Sequence, residues 1–239
     1  MIYKVGICGA TGRMGQEISA LLAAGFNIEA DVLEFSDAVA RSHSISTIDG
    51  IPVRTLQEPP REPVHVWIDF SRPEATLNLL EATNEAMVIG TTGFNERELK
   101  IIQKYALTRP ILLTANTSPG MNMLLTMLNH SSLAAKYQYD ILASEIHHKN
   151  KKDDPSGTLK TILKVLEAKG NNNIQVQSAR VGDEKGTHTV SFFSDDEELT
   201  LIHRVNNRRV FAKGALIAAR YIAQQSKPGL YSFQDVEVR

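Results

Sequence analysis

The sequence predicts an α/β protein in two parts. A parallel-sheet domain opens the chain, and a second α+β domain follows with a mixed or antiparallel sheet. Three observations carry this. Over roughly the first 115 residues, short β-branched runs alternate with helical patterns. After Pro119 that alternation stops, and period-2 runs cluster at 174–180, 187–193 and 198–205. A last helical pattern, 211–224, then reads as a return to the first domain. The parallel-sheet domain is assigned 1–117 and 210–239, and the second 118–209.

Tyr3 to Cys8 reads as a strand broken by the glycines at 9 and 12. From Gly15 to Ala24, Ile18, Leu21 and Leu22 share a helical face, and Gly25 stands where a C′ residue belongs. Ile28 to Leu33 reads as the second strand, and 36–62 as loops plus one short strand. Val64 to Phe70 is nearly continuously apolar, as a central parallel strand should be. Pro73 and Glu74 open a helix, one with a preset φ and the other with charge at the positive end. Met87 to Gly90 and Ile111 to Thr114 are further strands, separated by a helix that Asn95 can cap. One helix is expected over Met121 to Lys136, then a strand from Tyr139 to Ile146. Asn171-Asn172-Asn173 marks a turn.

Composition narrows the function. The 239 residues carry 26 Lys+Arg against 27 Asp+Glu, a net charge of −1. That balance removes the electrostatic case for a nucleic-acid or membrane-surface partner. The single cysteine, Cys8, excludes an intramolecular disulfide framework and a multi-cysteine metal site. No apolar run approaches the roughly 20 residues that cross a bilayer. Met1 to Val5 passes directly into an apolar strand with no signal-peptide pattern, so a soluble cytoplasmic protein is expected.

Gly9-Ala10-Thr11-Gly12-Arg13-Met14-Gly15 lies between the first strand and the first helix. Glycines there permit a tight turn and let backbone N–H groups approach a pyrophosphate at the positive end of the helix. The spacing is G-x-x-G-x-x-G, a weak signal alone. Its place in a strand–turn–helix unit, and Glu34 nineteen residues after Gly15, strengthen it. Glu34 is expected at the end of the second strand, accepting hydrogen bonds from ribose hydroxyls. Together they make the domain Rossmann-like and dinucleotide-binding. Glu34 followed by Phe35 argues for NADH over NADPH, although Arg13 or Arg41 could accommodate a phosphate. The bland alternative is a packing turn with a solvated acid. Gly90-Thr91-Thr92 and Thr114-Ala115-Asn116-Thr117 end two further strands, where ligands of open α/β sheets sit. They are assigned to the same cofactor, against the alternative of ordinary polar turns.

The densest chemistry runs from Glu145 to Thr158 (EIHHKNKKDDPSGT). Ser156, Gly157 and Thr158 open a helix whose stripe is Leu159, Ile162, Leu163 and Leu166, and such an N-terminus receives carboxylate or phosphate. Lys151 adds positive charge, so an anionic substrate is implied. A histidine that titrates near neutrality suits proton delivery coupled to hydride transfer. Three alternatives compete: a solvated charged loop, a divalent metal held by the histidines with Asp153 and Asp154, and a basic nucleic-acid patch. Adjacent histidines, unlike an i, i+4 pair, argue against the metal, and none is expected.

The segment resembles the signature of the dihydrodipicolinate reductase family, E-x-H-H-x-x-K-x-D-x-P-S-G-T. Glu145, His147, His148, Lys151, Asp153, Pro155, Ser156, Gly157 and Thr158 occupy every fixed position. The likeness extends through Gly12 to Gly15, Asp69 to Glu74, Gly90 to Gly93, Gly186 to His188 and Phe211 to Ala215. It implies reduction of 4-hydroxy-tetrahydrodipicolinate, a cyclic imine dicarboxylate, by NADH or NADPH on the diaminopimelate route to lysine. It makes His147 the general acid/base and Lys151 the proton donor or charge stabiliser. His148 and the amides of Ser156, Gly157 and Thr158 would hold substrate carboxylates. The family assembles as a homotetramer through its second-domain sheets. Thr117 stands where the family usually has Phe or Met, and Pro119 where it has an aliphatic residue. Two rivals remain at this stage: another Rossmann oxidoreductase, and a dinucleotide-sensing protein without catalysis.

Overall fold

The computed structural model describes residues 1–42, 45–60 and 62–236. It divides into two compact units, 1–117 with 211–239, and 118–210. In chain order the first unit holds β1 (Ile2–Cys8), α1 (Arg13–Ala23), β2 (Asn27–Ile28), β3 (Asp31–Val39), β4 (Thr47–Ile48) and β5 (Ile51–Arg54). β6 (Val66–Asp69), α2 (Pro73–Ala82), β7 (Ala86–Ile89), α3 (Glu96–Ala106) and β8 (Pro110–Leu113) follow. The second unit holds α4 (Pro119–Leu128), α5 (Ser132–Lys136), β9 (Asp140–His147), α6 (Gly157–Ala168), β10 (Ile174–Arg180), β11 (Thr187–Phe193) and β12 (Glu198–Arg204). α7 (Arg209–Ala223) leads back to the first unit, which ends with β13 (Gly229–Tyr231) and a 3₁₀ turn at Phe233–Asp235.

Six parallel strands lie in the order β5-β3-β1-β6-β7-β8, with β13 parallel beyond β8. By sequence rank that is third, second, first, fourth, fifth, sixth, so the order reverses between β1 and β6. In such sheets ligands bind beyond the carboxyl ends at that reversal. Two apolar clusters form this unit's core. Val5, Ile7 and Ile68 pack with Ile18 and Leu22 of α1 and Leu216 and Ala219 of α7. Trp67, Met87 and Ile89 pack with Leu79 and Leu80 of α2 and Ile102 of α3. The sheet is thus Rossmann-like, parallel and covered by helices.

Local signals set the helix ends. Pro73 is the first residue of α2 with Glu74 in its first turn. Asn95 and Glu98 form a reciprocal capping box on α3, Asn95 Oδ1 accepting from the Glu98 N–H at 3.0 Å. Gly25 takes φ +73° after α1 and donates to the Leu22 carbonyl.

Two sequence expectations are corrected. The second strand is not Ile28–Leu33. Glu29 turns the chain at φ +56°, β2 folds back antiparallel on Asp31–Val32, and the parallel strand runs on to Val39. Its polar residues disguise it, because Asp37 is buried and paired with Arg54 of β5 (Nε to Oδ1 2.9 Å, Nη2 to Oδ2 2.6 Å). Glu34 consequently sits in mid-strand, exposed, in register with Lys4. It lies five residues before the strand's end, about 16 Å at about 3.3 Å per residue. Of the 36–62 stretch, which also holds β4 and β5, positions 43, 44 and 61 lie outside the described residues, as do 237–239. The single helix expected over 121–136 is two. Its apolar face ends at Leu128, and the buried Asn171 donates through Nδ2 to Ser131 Oγ (3.0 Å) and to the Leu166 carbonyl (3.0 Å), fixing the break. β13 lies beyond the last element expected from sequence.

The second unit is a mixed sheet, β10-β9-β11-β12, in which β9 and β10 are parallel and β11 is antiparallel to both neighbours. Alternate residues of β9 and β11 (Ile141, Ala143, Val190, Phe192) pack on Met121, Leu124 and Leu125 of α4 and Leu159, Ile162 and Leu166 of α6.

Candidate active site

At the carboxyl end of β1, Gly9 takes φ +79°, and a Cβ there would stand 2.5 Å from the Phe70 carbonyl oxygen. Gly15, in the first turns of α1, lets the helix press on the loop; its Cβ would lie 2.4 Å from the Gly9 carbonyl oxygen. Gly12 is the N-cap of α1, and no side chain caps that helix. Its first-turn N–H groups therefore face a concavity without a side-chain acceptor of their own. The concavity is a cavity of about 430 Å³ lined by the ends of β1 (Cys8, Gly9, Thr11, Gly12), β3 (Val39, Ala40, Arg41) and β6 (Phe70, Ser71, Arg72). Its place at the strand-order reversal, its glycines and its uncapped helix fit a dinucleotide.

The remaining rim residues are held internally. Asp69, the last residue of β6, is fully buried; burial pushes its carboxyl up, and three hydroxyls oppose this. Ser71 Oγ (2.5 Å), Thr76 Oγ1 (2.5 Å) and Thr91 Oγ1 (2.8 Å) all donate to it. Thr91 also accepts from the Ser71 N–H at 2.8 Å, so its hydroxyl is engaged both ways and not presented to a ligand. Thr114 donates to the Asn116 carbonyl (2.9 Å), and the buried Thr117 to the Phe211 carbonyl (2.8 Å). Among the expected cofactor residues on these loops, Thr92 and Ala115 are exposed.

In the second unit, the register of three strands assembles what no local motif shows. Glu145 and His147 point to the same face of β9, being two residues apart. His188 of β11 pairs opposite Glu145, His203 of β12 opposite His188, and Arg180 of β10 beside His147. Glu145 is buried; its Oε1 accepts from Arg180 Nη2 (2.9 Å), the Ser156 N–H (2.9 Å) and Ser178 Oγ (3.2 Å). Its Oε2 lies 3.5 Å from His147 Nδ1 and 3.7 Å from His188 Nε2. Burial acts to raise the Glu145 carboxyl, but Ser156, Arg180 and His147 together hold it below its ordinary value.

His147 and His188 meet edge to face at 5.0 Å. Burial pushes His147 down, Glu145 opposes, and Lys151 and Arg180 add to the fall. His188 is pushed down to about 3 by burial and then by His147. His203, lowered by burial, has its Nε2 3.0 Å from Ser118 Oγ, the N-cap of α4. Burial thus holds the imidazoles of His147 and His188 towards the neutral form.

Lys151 pairs with Asp153 (2.8 Å). Burial acts to raise Asp153, while Lys151 and the Gly157 N–H hold it down. Ser156 is the N-cap of α6, its Oγ accepting from the Leu159 N–H. Its own N–H is committed to Glu145, so the expected clamp of three successive amides is corrected: Ser156 positions the helix, and Gly157 and Thr158 form its first turn. His148 follows β9 and is partly buried.

Sequence reasoning missed Arg180, His188 and His203 as site residues and gave Glu145 no role. Alternation within each strand was the available signal; the pairing between strands was not. One metal-like group occurs among the described residues, Glu145, His147 and His188, with donor atoms within 4.8 Å of one another. Arg180 on the same carboxylate already supplies the positive charge, which disfavours a cation there. Asp153 and Asp154 are not part of the group.

A parallel sheet with a dinucleotide cradle, in one chain with a mixed-sheet unit that buries a histidine on a carboxylate, defines the two-unit nicotinamide-dependent oxidoreductases. Comparison narrows the class. Residues 3–117 match the model of the dihydrodipicolinate reductase N-terminus, and 120–236 that of its C-terminus. The 4-hydroxy-tetrahydrodipicolinate reductase of Bdellovibrio bacteriovorus is 35% identical over 98% of this chain and 95% of its own length. That of Sulfurimonas denitrificans is 36% identical over 98% of each chain. The chain belongs to the dihydrodipicolinate reductase family. In fold it is similar to dipicolinate-bound dihydrodipicolinate reductase from Paenisporosarcina sp. TG-14 (TM-score 0.71, 21% identity, 99% of this chain and 100% of that one). It also resembles DAP dehydrogenase from C. glutamicum (TM-score 0.59, 12% identity, 98% and 94%). It is accordingly an oxidoreductase using a nicotinamide cofactor.

Proposed function

We propose that the chain reduces 4-hydroxy-tetrahydrodipicolinate to tetrahydrodipicolinate, in the diaminopimelate route to lysine, with NAD(P)H as reductant. The observation that carries the reading is the buried pair of His147 and Glu145 beside the N-terminus of α6, in a chain of this family. The first unit is the dinucleotide-binding domain and the second the substrate-binding domain. Gly9, Ala10, Thr11, Gly12, Arg13 and Met14 would hold the pyrophosphate; Gly90 to Thr92 and Thr114 to Thr117 supply the backbone of the nicotinamide end. When bound, the reduced nicotinamide supplies hydride. Glu34, in mid-strand, no longer argues for NADH.

In the second unit, the Glu145 carboxylate, with Oε2 3.5 Å from His147 Nδ1, favours the tautomer protonated at Nδ1, which orients the imidazole and leaves Nε2 for the substrate. His147 is the proton-transfer group, and Lys151 stabilises the substrate's negative charge. His148, Gly157 and Thr158 hold its carboxylates, assisted by the positive end of α6. Purified protein should oxidise NADH or NADPH on the cyclic imine and not on simple keto acids. Pyridine-2,6-dicarboxylate should bind the NADH complex in a fluorescence titration; failure on both counts would overturn the assignment.

We also infer a homotetramer built on the second-unit sheets, in a cytoplasmic protein. The sheet face opposite α4 and α6 carries Leu142, Ile146, Thr189 and Ile202, with Ile146 41% and Ile202 59% exposed. An apolar face of that kind marks an association surface. Light scattering should return four times the chain mass, and Ile202→Lys should lower it. Among the described residues no helix is long and apolar enough to cross a membrane.

A further inference from the structure

We propose that His188 is a positioning residue for proton transfer, its Nε2–H facing the same Glu145 oxygen as His147 and so keeping the Nδ1 proton on His147. The inference rests on reading His147 as the group that delivers the proton.

The two oxygens of Glu145 are unequally served. Oε1 accepts from Arg180 Nη2, the Ser156 N–H and Ser178 Oγ at 2.9–3.2 Å. Oε2 is buried as well and accepts no hydrogen bond of ordinary length among the described residues. A carboxylate oxygen shut away from water needs donors. Two imidazole nitrogens face it, His147 Nδ1 at 3.5 Å and His188 Nε2 at 3.7 Å. Each ring serves Oε2 only with its proton on that nitrogen, which makes His147 the Nδ1–H tautomer and His188 the Nε2–H tautomer. The other His188 nitrogen, Nδ1, is buried without a partner among the described residues, so a proton there would be an orphaned N–H. Such bonds are long in a free enzyme and tighten in the substrate complex.

The two rings meet edge to face but are set apart by their surroundings. His188 is 2% exposed, and its imidazole is pushed down to about 3, first by burial and then by His147. The other groups acting on it are Glu145 of β9, His203 of β12 and Lys151 of the loop after β9. Arg180 of β10 acts through Glu145, and Asp153 through Lys151. His147 keeps an open nitrogen. A Cβ at Gly186, where φ is +137°, would stand 3.3 Å from His147 Nε2 and 3.9 Å from His188 Cε1. One imidazole thus titrates while its neighbour stays neutral.

The row is also held from its far end. His203 stands 6.1 Å from His188 between ring centroids, with Nε2 3.0 Å from Ser118 Oγ. A Cβ at Gly120 would lie 3.2 Å from His203 Cδ2, so the first turn of α4 closes on that ring. With His188 fixed, a second N–H shares the charge on Oε2 and weakens its hold on the imidazolium of His147. His147 is then the stronger acid.

Nitrogen-15 NMR of the imidazoles, recorded on the full chain without ligands, tests this directly. Wild-type His188 should be the neutral Nε2–H tautomer from about pH 8 down to about pH 5. His188→Gln places an amide N–H near the position of Nε2, whereas the shorter His188→Asn places it near Nδ1, out of reach of Oε2. In His188→Asn the His147 pKa should rise by about 0.5 to 1, and the falling limb of kcat/KM should move up with it. Its kcat should fall about 3- to 10-fold, with KM within about twofold of wild type. His188→Gln should restore both. A merely structural role would lower the melting temperature and leave the His147 pKa in place. An Nδ1–H tautomer at His188, or the same His147 pKa in wild type and His188→Asn, overturns the proposal. Wild type inactive on the cyclic imine would overturn the assigned reaction alone, because tautomer and pKa are read without substrate.

Discussion

Replacing His147 with Gln is expected to lower kcat by about 10²- to 10⁴-fold, the range of a positioned general acid, while dinucleotide affinity stays within about twofold. The two effects separate because the glycine-turn cavity and His147 belong to different units of the chain. The pH profile gives a sharper test. Burial, with Lys151 and Arg180, holds the His147 imidazole below its ordinary range, and Glu145 offsets only part of this. The protonated fraction in the free enzyme at neutral pH is therefore smaller than that of an ordinary histidine. If protonated His147 delivers the proton, kcat/KM should decline with rising pH from slightly acid values onward, and the limb should vanish in His147→Gln. A dianionic substrate counters the depression, so the corresponding limb of kcat should lie at higher pH than that of kcat/KM. A His147→Gln enzyme with wild-type turnover and an unchanged profile would remove His147 from the chemistry.

What the sequence showed plainly was whatever is decided within a few residues. Gly9 and Gly15 announce the turn because a Cβ at either would collide with backbone. Pro73, Asn95 and Ser156 mark helix starts through their own φ or their own acceptor oxygen. Even the three strands of 174–204 follow from alternation alone. Features set by distant partners were hidden. Asp37 looks like a loop residue until Arg54 is placed beside it. A helix over 121–136 looks continuous until Asn171, forty residues further on, ties down Ser131. The same limit separates the two halves of the candidate site. The segment from Glu145 to Thr158 is contiguous, and its signature stands out. Arg180, His188 and His203 reach Glu145 and His147 only through strand register, which a single chain does not spell out. The misplacement of Glu34 has the same origin, since the turn at Glu29 shifts the start of the strand and so everything at its far end.

Glu145→Ala should be the most destabilising single change in the second unit. The carboxylate is buried and gathers the Arg180 guanidinium, the Ser156 N–H that starts α6 and the Ser178 hydroxyl. Removing it leaves the guanidinium with the Asp153 and Ala179 carbonyls and, as its remaining charged partner, only the exposed Asp154 carboxylate at 3.6 Å. Breaking a buried pair from one side costs about 3 kcal/mol or more. For a chain of this length that lowers the melting temperature by about 6–12 °C. Glu145→Gln keeps the shape and can still accept from Arg180 and Ser156, so its loss of stability should be smaller. Yet it should lose nearly as much activity, because an amide holds the His147 Nδ1 proton less strongly than a carboxylate. The linkage has a definite sign. A carboxyl held below its unfolded value contributes stability above the unfolded pKa, near 4.3, and that contribution fades as pH falls through the folded value. The depressed His188 acts in the same direction from about pH 6.5 downward, since the unfolded chain takes up a proton that the folded one refuses. Wild type should therefore lose stability steadily from pH 6.5 to 3, and Glu145→Ala should lack the part of that loss that falls below about pH 4.3. Equal melting temperatures for wild type and Glu145→Ala would show that the carboxylate is not the anchor of this cluster.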